Sequence, residues 1–581
     1  MTNSVPMKKY WILFFAALTL CAPAAAETAA ADFAAMSRAA ERGKVAADQK
    51  DWDLAIGYFS EAQNLGPHRP ENLMNLALAH RNAGHLLIAG VWLRAYLEAL
   101  PESEKRQKVL ALIDELEVKA QVKTRELLRL SEETAIKFPP EFVEDQRQAF
   151  AALAFAEATG GEIEKAYATG QKSGEAAYDR QVFLRYQGQI LSSAHDYEAV
   201  ERILAALTSP QERNALLYRL GSDQLNRGEE EVLGKTVDQM TASPERFRLL
   251  REWMTYLTRE MKITAAETVA ARADSPELDA ELAQLLTTGY LKAGETEKAR
   301  TAAREILERS RGLPQEALAV ARILSGEGRK VLGELKEMAP ASEALWEKAQ
   351  KLYTATINLA WSGETALARE GCEALRAFAQ EQNQPLTQDF AQIGCGYLAA
   401  EEGRLEAALA AMPAISPESR KNFQISLFWR LVAQVRLEDA AALLAAAGDT
   451  TLQAGLLHDL GKVYRDRGEA VKARELLEKS RVLAVHANAT YVLKKIAIDA
   501  ATAGDAALTT RAFREERLAR WIGLARYFES QESLMDLKVY LAKSGEADLV
   551  ETVRLLTQAA SDWQRAAVLI HGVESWHARN P

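Results

Sequence analysis

Two cysteines, Cys372 and Cys395, lie in the body of the chain, and a third, Cys21, lies near its start. Gln384 and Pro385 suggest a turn between the first two, with Cys372 12 residues before Gln384 and Cys395 11 after it. Were the flanking segments an antiparallel helix pair, the two thiols would sit opposite each other. In an oxidising compartment a disulfide there would add about 2–4 kcal/mol. The alternative is two buried thiols filling positions that call for small side chains. No C-x-x-C pair supports redox catalysis. Of the 8 histidines, His80 and His85 are close, but no cysteine or paired carboxylate completes a metal set near them, and nothing resembles H-E-x-x-H. Gly326-Glu327-Gly328 with Gly333 is superficially a phosphate loop, yet no strand precedes it and no G-K-[ST] follows. No G-x-S-x-G is present either. The expectation is therefore no catalytic residue, no metal and no cofactor.

The elements that must carry these residues are helices. The chain has 581 residues, 48% apolar and 26% charged, enough to build a continuous core. Ala, Leu, Glu, Arg and Lys dominate, which are good helix formers. No long alternating Val/Ile/Thr runs suggest a sheet. Net charge is −10, and removal of residues 1–26, which hold Lys8 and Lys9 and no acid, would leave −12. An acidic chain is poorly matched to a phosphate backbone, so nucleic acid is not an expected partner.

A period of 34 residues is visible. Ala55, Phe59, Ala62 and Pro67 recur 34 positions later as Ala89, Leu93, Tyr96 and Pro101, with Tyr96 for Ala62 as the departure. Leu460-Gly461, Tyr464, Gly468, Ala473 and Leu477 make a third copy, and Gly289, Tyr290, Gly294 and Ala299 a looser one. Turn landmarks fall near 84, 161, 194, 228, 261, 294, 327, 363, 403, 435, 468, 504 and 545. The stretch Glu104 to Lys137 has apolar residues at helical spacing and no glycine, and ends at Pro139-Pro140. It predicts one long helix, or a hairpin with a glycine-free turn. Asp548 to Pro581 is expected to be one more helical pair.

This pattern resembles the tetratricopeptide (TPR) family, whose unit is a helix-turn-helix of 34 residues. The small residue lets two helices approach, the large one fills the gap, and the proline stops the second helix. The resemblance implies an all-α fold: a right-handed superhelix of antiparallel helical hairpins, a TPR-like α-solenoid in which neighbours supply each unit's core. It also implies a concave groove lined by the first helix of each pair, suited to an extended partner segment. Matched to the family, the groove positions offer Lys44, then Asn75 and Arg81, then Lys105 and Lys108, although Ala40 and Val109 stand where polar or basic residues are expected. A second cluster comprises His458, Lys462 and Arg465 with Tyr491, Lys494 and Lys495. Two such stripes could take an acidic tail; the alternative is ordinary solvated helix charge.

The amino terminus reads as an export signal. Lys8-Lys9 precede an apolar run from Tyr10 to Leu20, and Ala24-Ala25-Ala26 offers a cut before Glu27. The run is too short to span a bilayer, which takes about 20 residues. Cys21 leaves a lipoprotein alternative, although Leu18-Thr19-Leu20 is a poor lipobox. The organisation expected is a signal peptide at 1–26, a linker at 27–35, a TPR pair at 36–102, a long helix or capping hairpin at 103–140, TPR-like repeats at 141–450, and C-terminal repeats with capping helices at 451–581. The function this favours is a periplasmic scaffold that binds other proteins of the cell envelope through extended or acidic segments. A chaperone-like holder of exported chains, or the helical part of a peptidoglycan-cleaving enzyme, are the alternatives. Membrane contact is expected only through partners or a lipid on Cys21.

Overall fold

The computed structural model describes residues 33–100, 105–174, 179–309, 318–338, 345–544 and 549–579. The signal segment with Cys21, most of the expected linker, and Pro101 lie outside them. Every regular element among the described residues is helical, so the fold is all-α, built of antiparallel helix pairs. The chain forms two compact units: residues 1–212 together with 488–581, and residues 213–487.

The first unit begins with α1 (33–48), α2 (Trp52–Leu65), α3 (Pro70–Ala83), α4 (Leu86–Ala99), α5 (Arg106–Ile136), α6 (Val143–Thr159), α7 (Ile163–Gln171), α8 (Arg180–Ser193) and α9 (Tyr197–Ala206). Asp51 caps α2 by accepting the Leu54 N–H at 3.2 Å. The repeated landmarks are core: Ala55, Phe59 and Ala62 in α2, and Ala89, Leu93 and Tyr96 in α4, are all buried. Gly84 ends α3 with φ +90°, a left-handed conformation that costs glycine nothing. The stretch after Glu104 is a single helix, α5, without an internal turn. Pro139-Pro140 follows it, and the residue before a proline is pushed out of helical geometry.

The second unit runs from α10 (Pro210–Asn226), on which the division falls, through α11 (Glu230–Asp238), α12 (Pro244–Arg259), α13 (Ile263–Ala270), α14 (Pro276–Lys292), α15 (Thr296–Arg309), α16 (Ala319–Arg322), α17 (Gly328–Glu337), α18 (Leu345–Trp361), α19 (Thr365–Gln382), α20 (Pro385–Glu401), α21 (Leu405–Ala411), α22 (Pro417–Ala433), α23 (Leu437–Ala445), α24 (Thr450–Asp466) and α25 (Ala470–His486). Pro244, Pro276, Pro385 and Pro417 open first helices, where the missing N–H is no loss. The turns expected near 194, 261 and 435 carry no left-handed glycine; His195, Met261 and Val435 take that conformation instead, with φ of 64°, 58° and 61°. Gly326 turns the chain between α16 and α17, which makes it an interhelix turn rather than a phosphate loop. One apolar core runs from Ile263 to Ala473.

The chain then re-enters the first unit as α26 (Thr490–Thr502), α27 (Ala506–Ser544) and α28 (Leu549–Arg579). Two expectations need correction here. The stretch after Asp548 is one helix of 31 residues, not a pair. The C-terminal helices also do not simply stack on their sequence predecessors. Leu518, Trp521, Ile522, Phe528, Trp563 and Ile570 share a core with Leu73, Leu76, Trp92 and Ile113. Leu556, Ala559 and Ala560 likewise meet Leu127, Leu128 and Leu153. The reason is local: α4 is buried on nearly every face, with only Leu86 and Glu98 partly out, and a helix apolar all round needs covering on all sides. Its neighbours α3 and α5 cover part, and α27 and α28 cover more.

Candidate functional site

The N-terminal candidates occupy α1, α3 and α5. Lys44 is exposed on α1 and pairs with Glu41 at 3.0 Å. Asn75 is half-buried and Arg81 exposed on α3, while Lys105 and Lys108 are exposed at the start of α5. Ala40 and Val109, which break the family pattern, turn inward: Ala40 packs against the cluster of Met36, Ala39 and Ala62, and Val109 is core. The hydrogen bond from Lys119 holds the Glu115 carboxyl below the usual range, and the charge of Arg81 on α3 adds to it. Arg81 of α3 and Glu115 of α5 are both exposed, on helices that each pack against α4. Leu78 lies one turn before Arg81, and Val118 and Val122 lie one and two turns after Glu115, all three exposed. The exposed side chains of these helices are thus mixed, with Leu78, Val118 and Val122 among charged residues.

The second cluster is divided between the two units. His458 is no groove residue: it is 3% exposed, and its Nδ1 lies 2.9 Å from Asp459 Oδ1. Residue type alone does not show which side of α24 is turned inward; His458 is buried together with Ala454, Asp459 and Gly461 of the same helix. Lys462 is exposed, and Arg465 pairs with Asp466 at 3.3 Å. These three residues belong to the second unit, whereas Tyr491, Lys494 and Lys495 belong to the first. Lys495 Nζ lies 4.6 Å from the Tyr491 ring centroid, a cation–π contact that occupies both. Lys494 acts on Glu516, whose carboxyl is pushed up by burial while Arg520, Lys494 and Arg517 pull it down.

Several buried polar residues escaped sequence reasoning. His80 Nδ1 lies 3.1 Å from His85 Nδ1, and His80 Nε2 lies 3.1 Å from Glu529 Oε1 on α27. Trp92 Nε1 donates to the same carboxylate at 2.9 Å. Arg94, buried in α4, donates to Glu574 of α28 at 2.6 Å and to Glu117 of α5 at 2.5 Å. Its guanidinium also lies 5.7 Å from the Trp521 ring centroid. Arg514 donates to the carbonyls of Glu98 and Ala99, capping the C-terminal end of α4. The signal was present in part: an arginine inside the apolar run Leu86–Ala99 must find carboxylates once buried. Which carboxylates could not be read, since Glu117 lies on the next helix and Glu574 is 480 residues away. Among the described residues no group of three His, Cys, Asp or Glu side chains is placed to hold a metal. No described helix is long and apolar enough to cross a membrane.

In the second unit, Cys372 of α19 and Cys395 of α20 are joined, with S–S 1.99 Å and Cα–Cα 5.3 Å. The helices meet at Asn383 and Gln384, so the two cysteines lie near mid-helix on facing sides. Both are core, among Leu375, Phe378 and Leu398. Further along, α14 touches α22 although three helix pairs separate them in sequence. Arg430 of α22 makes this contact. Its Nη1 donates to the carbonyls of Leu291 and Lys292 at 2.7 and 3.2 Å, and Nε and Nη2 grip Glu401 at 2.7 and 3.0 Å. Trp361, Tyr397 and Phe423 stack edge-to-face beneath it, at 5.5 and 4.8 Å. Here the unit's own side chains fill the space between first helices, where the family resemblance leads one to expect a groove.

Stacked antiparallel helix pairs place the molecule among all-α helical-repeat proteins. No protein-family model matches the chain, and no curated protein matches it. Among solved structures it aligns with the Cut9–Hcn1 hetero-tetramer of APC/C at 11% identity, over 83% of this chain and 93% of that one, with a TM-score of 0.21. It aligns with a Rap protein complexed with competence and sporulation factor at 14% identity, over 60% and 99%, with a TM-score of 0.26. For Naa15/Naa10 bound to HypK-THB the values are 11% identity, 86% and 92%, and a TM-score of 0.27. Superposition this poor carries no inference about partners, and the fold assignment stands on the helices themselves.

Proposed function

We propose that this chain is an exported scaffold that binds other proteins, and that it works in the periplasm among components of the cell envelope. One observation carries the reading: α3 and α5 both expose aliphatic side chains among charged ones, Leu78 with Arg81 on α3 and Val118 and Val122 with Glu115 on α5. Rigid helices that expose aliphatic and charged side chains together suit an extended protein segment, which supplies apolar anchors and balancing charge. The exposed cations Lys44, Lys105 and Lys108 favour an acidic segment. Export is supported by the Lys-Lys, apolar-run and Ala-x-Ala order at the amino terminus.

The test is photo-crosslinking in intact cells from a reactive residue placed at Val118 or Val122, with recovered proteins identified by mass spectrometry. A discrete partner whose yield drops with Lys105→Glu is the expected result. Crosslinks no different from those of a probe at exposed Val471 of α25 would overturn this assignment.

A further inference from the structure

Lys292 closes α14 and is 5% exposed. Its Nζ donates to the Arg259 carbonyl oxygen at the end of α12, at 2.8 Å, and to Ser426 Oγ of α22, at 3.3 Å. Both partners are neutral. The charged groups around it give little help. Arg430 of α22 approaches from one side, donating to the carbonyls of Leu291 and Lys292, and Glu401 of α20 is held by Arg430. From the end of α12, Glu260 favours an ammonium and Arg259 opposes it. A neutral amine has two N–H groups, which match the two acceptors. An ammonium has a third donor and a charge that this buried contact does not match.

We propose that the contact between α14 and α22 is a pH-dependent latch, held tightest when the Lys292 amine is neutral and weakened when it is protonated. Burial pushes the amine down from its ordinary 10.5 to about 7 in the closed state. When the contact opens, the amine meets water and returns toward its ordinary value. The open state therefore binds the proton more tightly, and the sign follows: the latch is strongest above the ordinary lysine range and loosens as pH falls toward 7. Below 7 both states are protonated and the dependence flattens. Between pH 9 and pH 7 the open fraction should rise about 50-fold. Opening exposes the rings of Trp361 and Tyr397, which otherwise lie buried below Arg430.

This inference is independent of the proposed function and needs no partner for its test. Hydrogen exchange of the full chain is measured at pH 7 and pH 9, corrected for intrinsic amide rates. Protection at the C-terminal half of α14 and in α22 should rise by tens-fold at the higher pH. In Lys292→Met that difference should shrink to less than about threefold. Should the variant misfold, the side-chain carbon resonances of Lys292 in the wild-type chain report its titration directly. A midpoint near 7 supports the latch. A midpoint near 10.5, or equal pH dependence of protection in wild type and variant, overturns it.

Discussion

Gly572, in the interior of α28, offers a test in which the sign of the effect decides. A Cβ at this position would sit 2.0 Å from the Ala194 carbonyl oxygen and 2.6 Å from the Ala194 Cβ, where α8 ends. Ordinary non-bonded contacts lie near 3.5–4.0 Å, so α28 would have to retreat by roughly 1 Å or more. The neighbour is backbone and cannot rotate away. Retreat would loosen the packing of Val553, Leu556, Trp563 and Ile570 against the N-terminal helices. Overpacking of this kind costs about 1–3 kcal/mol. Against it, replacing a mid-helix glycine by alanine contributes about 0.5–1 kcal/mol of stability. Gly572→Ala should therefore destabilise the protein, whereas helix propensity alone says it should stabilise. Gly57 in α2 is the internal control, since a Cβ there meets nothing within 4 Å. Gly57→Ala should stabilise by about 0.5–1 kcal/mol. Urea unfolding followed by far-ultraviolet circular dichroism reads both. If Gly572→Ala proves as stable as wild type or more so, while Gly57→Ala behaves as expected, the docking of α28 on the α8 terminus is refuted.

Three further outcomes are expected. Thiol labelling of the denatured, unreduced chain from residue 27 onward should find no free cysteine, and Cys372→Ser should cost the second unit about 2–4 kcal/mol in chemical unfolding; a free thiol in that unreduced protein would contradict the bridge. Val435, a β-branched residue at φ 61° and well exposed, should tolerate Val435→Gly with a net gain of up to about 1 kcal/mol, because relief of left-handed strain of about 1–2 kcal/mol exceeds the entropic cost of glycine; a clear loss in thermal melting would show that the turn is not strained. Charge reversal at both Lys44 and Lys105 should weaken partner capture several-fold while the helical circular dichroism stays unchanged, since both are exposed; undiminished capture removes that end of the surface from the binding site.

Local features were the legible ones. Ala55, Phe59 and Ala62 announced a buried ridge because packing two helices closely needs small and large residues at fixed helical offsets. The glycine-free stretch before Pro139 could be read as one helix or as a hairpin, and only the structure chose. Surface candidates fared unevenly, since charge type says nothing about which face of a helix is turned inward. Lys44 and Lys105 are exposed, but His458 is core. Lys494 and Lys495 belong to a different unit from Lys462.

The amino-acid order by itself determined the helical class, the repeat period and where most of the turns between described helices fall. These follow from dihedral preference and side-chain spacing within some 34 residues, a range over which a chain contacts itself whatever the rest does. Tertiary structure alone decided that residues 488–581 join the N-terminal helices, that Glu529 answers His80 and Trp92, and that Lys292 lies buried between α12 and α22 with its hydrogen bonds made to neutral acceptors. Such pairings depend on which of many similar apolar faces come together. The helical repeat makes those faces nearly alike, and shape and buried charge select among them only once the helices are packed.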